Sequence, residues 1–147
     1  MRSTEEISQN LIDIYNGDAW HGPNIMSVVS KIDVSKKDAR IGNGHSVIEL
    51  VMHMVAWRKF VTERLNGNND FDISDENNFP LESNWQKAIS ELERSQNVLL
   101  EAISQFDPSR LDQTVPTRKD SFRKVLQGII HHDLYHLGQI TMIIKQF

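Results

Sequence analysis

At 147 residues the chain fits one domain with a substantial single core, and 39% hydrophobic with 24% charged residues excludes collagen-like, repetitive and disordered architectures. A net charge of -4 and a pI of about 5.8 provide no global positive field for nucleic acid or anionic lipid. Cysteine is absent, which removes disulfides, thiolate metal ligands and a cysteine nucleophile together. The opening MRSTEEISQN has no apolar signal core, and no apolar run approaches the ~20 residues of a membrane span, so a cytoplasmic protein with no membrane partner is expected.

In chain order, Ser3 or Thr4 followed by Glu5 and Glu6 suits an N-cap and the positive end of a helix dipole. Ile7, Leu11, Ile14 and Tyr15 then form one apolar stripe up to Gly17, predicting a helix to about Asn16. Pro23 to about Ile32 reads as a short second helix with Ile25, Val28, Val29 and Ile32 inward. After the connector 33–44, Val47, Leu50, Val51, Met54, Trp57, Val61 and Leu65 recur every three or four residues, predicting a long helix over 45–65 that Gly67 closes.

The stretch 66–80, NGNNDFDISDENNFP, reads as a surface connection. It is not a calcium loop: counted from Asp70, Asp75 falls where glycine is required and Leu81 where the bidentate glutamate belongs. Trp85, Ile89, Leu92, Val98 or Leu99, Ala102 and Phe106 mark a further long helix that Pro108 ends. The last helix runs from Ser121 nearly to Phe147 on Phe122, Val125, Ile129, Ile140 and Ile143.

Four long amphipathic helices and one short extra helix, with no strand pairs, predict an all-α four-helix bundle over 1–147 as a single domain. The 66–80 connection reaches roughly 50 Å extended, against roughly 30 Å for a twenty-residue helix. Helices two and three of the bundle can therefore run parallel, in up-down-down-up order.

His132 and His136 are four apart and share one face of the last helix. His132 follows Ile129 by three, and His136 precedes Ile140 by four, so the pair interrupts the apolar stripe itself. Two unpartnered buried imidazoles would cost about 1–3 kcal/mol each. One shared divalent ion would satisfy both, since neutral imidazole is the commonest protein metal ligand. His53, three after Leu50 and four before Trp57, is a candidate third ligand. The competing reading is that each ring hydrogen-bonds a neighbour and fills space.

His131 points about 100° away from His132 and reads as solvated or as an outer partner of the site. His45 reads as a helix-start residue. Glu49 and Asp133 are possible carboxylate partners, with surface exposure the simpler role for either.

Several strings agree in order with one known family: AWHGPNIMSVV at 19–29, HSVIELVMHMVAWRKFVTERLNG at 45–67, the region of Trp85, and IIHHDLYHLGQI at 129–140. On these the chain resembles the DinB/YfiT-like superfamily of metal-dependent proteins. The resemblance implies an up-down-down-up bundle in which a histidine of the second long helix and an H-x-x-x-H-x-G-Q pair in the last helix bind zinc or nickel. By motif position these are His53, His132 and His136, with Gly138 and Gln139 completing the pattern.

Some members resemble transferases or isomerases that use small thiols such as bacillithiol or mycothiol, which implies a metal-dependent thiol S-transferase with a small-molecule substrate. With no cysteine in the chain, any thiolate must come from that substrate. Candidate pocket residues are Trp20, His21, Trp57 and Gln139. A metal-dependent hydrolase and a non-catalytic metal- or partner-binding module are the alternatives. Arg118, Lys119, Arg123 and Lys124 form a basic cluster, but the acidic balance argues against a nucleic-acid partner. Related bundles often pair, so a homodimer is expected, and a monomer mass by light scattering at high concentration would contradict it.

Overall fold

The computed structural model describes residues 3–147. Helix α1, Thr4–Asn16, begins at a capping box in which the Ser3 hydroxyl accepts from the Glu6 N–H while the Glu6 carboxylate accepts from the Ser3 N–H. Its expected stripe Ile7, Leu11, Ile14 and Tyr15 is buried. Helix α2, Ile25–Val29, is shorter than the 23–32 expected from Pro23 and the apolar spacing. Asn24 starts it, accepting from the Ser27 N–H and donating to the Gly17 carbonyl at 2.9 Å, and successive turns carry the chain from Val29 to the buried Ile32.

Helix α3, Val47–Leu65, starts at a second capping box, Ser46 with Glu49, so His45 lies one residue outside the cap. Helices α4, Trp85–Gln105, and α5, Phe122–Gln146, are capped by Asn84 and Ser121. On α4 it is Leu99 that is buried, while Val98 is exposed. Among the described residues there is no strand, only an isolated bridge between Thr114 and Ser121.

Helix α3 packs against both α4 and α5, α1 packs against the same two, and α2 covers α1 and touches α5. Two apolar clusters occupy the interior. The first joins Ile7 and Leu11 to Phe60 and Leu65, Leu99 to Phe106, and Phe122 to Ile130. The second joins Tyr15 to Val47 through Met54, Trp85 to Leu92, and Leu137 to Ile143. Along α3, α4 and α5 the positions between these clusters hold polar side chains, Arg58, Gln96, and His132, Asp133 and His136, while His53 is set into the second cluster between Met52 and Met54.

The 66–84 connection is more than a surface loop. Arg64, buried at the end of α3, donates to the Asn68 carbonyl at 3.1 Å, the Phe71 carbonyl at 2.5 Å and the Pro116 carbonyl at 3.2 Å. Those bonds tie the connection and the turn before α5 to one guanidinium, and so fix where Asn78 and Arg118 can reach.

A candidate metal centre of three histidines

Helix α3 presents His53, and α5 presents His132 and His136 one turn apart on the same face. The structure brings the three together. His132 Nε2 lies 3.0 Å from His53 Nε2 and 3.2 Å from His136 Nε2. One nitrogen from each ring falls within 4.8 Å of the others.

The protons at this site are constrained by the outer nitrogens. His53 Nδ1 is 2.8 Å from the Asn78 carbonyl, which can only accept, so Nδ1 carries the proton and Nε2 is a bare lone pair. His136 Nδ1 is 2.6 Å from Gln139 Oε1, also an acceptor, with the same consequence. His132 Nδ1 is buried without a partner, so a proton on His132 Nε2 can satisfy only one of the two facing lone pairs. Three nitrogens thus converge with at most one proton among them, and a cation bound by all three resolves the conflict. Zinc–nitrogen bonds of about 2.0–2.1 Å at tetrahedral angles separate nitrogens by about 3.3 Å, close to the two spacings from His132.

Burial keeps the rings in the neutral form a metal requires. Loss of solvation lowers the pKa of His53 and of His136, and lowers that of His132 to about 3, with the neighbouring histidines and Arg58 pushing His132 the same way. Phe79 holds His53 from the side, stacked at 4.2 Å and 9° on its ring and at 3.7 Å and 15° on His45. Trp57 lies 5.8 Å from the His132 ring and donates its Nε1–H to Asn78 Oδ1 at 2.9 Å. The Asn78–Phe79 pair therefore orients the site from a segment whose sequence looks like plain polar connector.

The three histidines line a cleft of about 840 Å³, with Trp57, Phe60, Val61, Val125 and Ile129 as apolar wall and His131 and Arg118 beside them. Gln139 supports His136 directly. Glu49 belongs to the α3 cap and pairs with Arg40 at 3.2 Å and His45 at 3.4 Å. His21 is exposed, bonded to the Pro23 carbonyl at 2.8 Å, and neither it nor the fully exposed Trp20 lines the cleft.

Asp133 is a correction: the surface position expected for it is wholly buried. Its carboxylate accepts from the equally buried Arg58 at 2.6 Å, and Arg58 also donates to Gln96 on α4. Burial raises the Asp133 pKa and the Arg58 charge opposes that rise. The signal was available in outline, because Asp133 follows Ile129 and Ile130 by four and three and so sits on a buried face. Of the basic cluster, Arg118 pairs with Asp72 at 2.5 Å, Arg123 with Asp112 at 2.7 Å and Lys124 with Asp120 at 2.6 Å.

In a comparison with protein families, the model of the DinB superfamily aligns with residues 20–140. Comparisons with curated proteins and with solved structures returned no match.

Proposed function

The chain belongs to the DinB superfamily, and we propose that it holds one divalent ion, zinc or nickel, through His53, His132 and His136 and acts as a transferase on a small-molecule thiol. The observation that carries this is the convergence of three Nε2 atoms, two of them bare lone pairs because their outer nitrogens are already donating. A divalent ion held by three neutral imidazoles keeps its full charge and open positions, and so acidifies a thiol or water presented to it.

The chain's own residues do the rest. Asn78 and Gln139 hold the rings of His53 and His136 in the ligating tautomer, and the Trp57, Phe60 and Ile129 wall thins the water around an incoming sulfur. With no cysteine in the chain, the nucleophile is external. The thiol releases its proton to solvent, its sulfur lone pair forms a bond to an electrophilic carbon, and the leaving group departs with the electron pair of the broken bond.

We also read the helices as an up-down-down-up four-helix bundle. Its support is the membership of the two apolar clusters, in which the starts of α1 and α5 share one end with the finishes of α3 and α4.

The test of the reaction type is a cobalt-substituted sample titrated with bacillithiol, mycothiol, glutathione and cysteine. At least one should change the visible spectrum as sulfur joins the metal. An unchanged spectrum with all four moves the hydrolase or non-catalytic reading ahead.

A further inference from the structure

We propose that the substrate of this cleft carries a carboxylate, held by Arg118 while the substrate's other end faces the three histidines; this rests on the open metal site proposed above. Both ends of that arrangement are in one cavity, since Arg118 lines the same cleft as His53, His132 and His136. The separation suits a small molecule. The Arg118 guanidinium carbon is 5.8 Å from the Trp57 ring and that ring is 5.8 Å from the His132 ring, so the two groups are at most about 12 Å apart.

The charge of this wall is opposite to that of the protein. Asp72 is shared between Arg118 at 2.5 Å and Arg64 at 3.4 Å, which leaves two guanidiniums against one carboxylate. Lys124 is offset by Asp120, the only acidic residue lining the cleft among the described residues. One positive charge is therefore uncompensated on a chain of net charge -4.

Arg118 is also held in place. Its guanidinium stacks over Phe60 at 4.7 Å as well as over Trp57, its Nη2 is paired with Asp72, its Nε–H is buried, and its side chain as a whole is 33% exposed. A guanidinium fixed in this way keeps a permanent charge and the donors of its remaining nitrogen, Nη1, at one place on the cleft wall, where a carboxylate can accept from it. The residue before it, Thr117, has a φ of 69°, a costly conformation for a β-branched residue. Bonds from Arg64 to the Thr117 hydroxyl at 2.9 Å and from that hydroxyl to Asp72 at 3.4 Å maintain it. The chain thus holds backbone strain beside the one arginine that, among the described residues, lines the histidines' cleft.

The experiment uses ligands that reach the metal whether or not the natural substrate is a thiol: the monohydroxamates of succinic, adipic and suberic acid, each against its neutral primary-amide counterpart. Their binding to the cobalt-substituted protein is read from its visible spectrum. At one chain length the acid should bind about tenfold more tightly than the amide, as expected for a hydrogen bond to a charged group. Arg118→Gln should abolish that preference, and Lys119→Gln should keep it. Equal binding of acid and amide at all three lengths overturns the proposal, as does a preference that survives Arg118→Gln. If that variant does not fold, the wild-type comparison decides. A cobalt-loaded protein that responds to no hydroxamate instead overturns the open metal site, and the carboxylate proposal falls with it.

Discussion

At the scale of single residues, the site depends on what each histidine's outer nitrogen touches. His132 and His136 were legible in the sequence as imidazoles interrupting an apolar stripe, and the resemblance to the DinB family singled them out with His53 as one ligand set. Asn78 was not legible, because its contribution to His53 is a backbone carbonyl twenty-five residues away and carries no residue-type signal. Gln139 was legible only as part of a motif; the structure gives it a task, holding the His136 Nδ1 proton. Gln139→Ala should therefore weaken metal binding by roughly 10- to 100-fold, the usual effect of losing an outer hydrogen-bond partner, with little change in fold. Unchanged affinity by competition with a chelating dye would show that the Gln139 contact does not support the site.

At the scale of elements, the relative placement of α3 and α5 sets the distance from His53 to the other two rings. The Arg58–Asp133 pair spans these helices, and Gln96 links it to α4 and onward to the Leu11 carbonyl of α1 at 3.3 Å. The four long helices were legible from apolar periodicity and caps, whereas this polar core was not, since an arginine and an aspartate within helices most often face solvent. With both side chains wholly buried, Asp133→Asn strands the Arg58 charge and should cost about 3–5 kcal/mol in chemical denaturation. Replacing both at once, Arg58→Met with Asp133→Leu, should cost much less. If the single variant is as stable as the parent, the pair does not tie the helices together.

At the scale of the whole molecule, no helix among the described residues is long and apolar enough to cross a membrane, and the interior is two apolar clusters, with His132 and His136 between them along α5 and His53 set into the α3 stretch of the second. The metal-free protein should accordingly be pH-sensitive. The three histidines have folded pKa values below the ordinary 6.5, His132 at about 3, so the unfolded chain takes up protons first as pH falls. Stability is fully present above about 6.5 and declines progressively toward pH 3, read as a falling Tm. A Tm that rises between pH 6.5 and 5 would contradict the burial of neutral imidazoles. The central claim is that one ion sits on three nitrogens supplied by α3 and α5, and removing any one nitrogen leaves an incomplete shell. The most direct measurement is the metal content of protein purified without a histidine tag, for the parent and for five alanine variants. The parent should carry close to one divalent ion per chain, His53→Ala, His132→Ala and His136→Ala should lose most of it, and His45→Ala and His131→Ala should keep it. Equal metal content in all five variants, or none in the parent after exposure to zinc or nickel, would contradict the account.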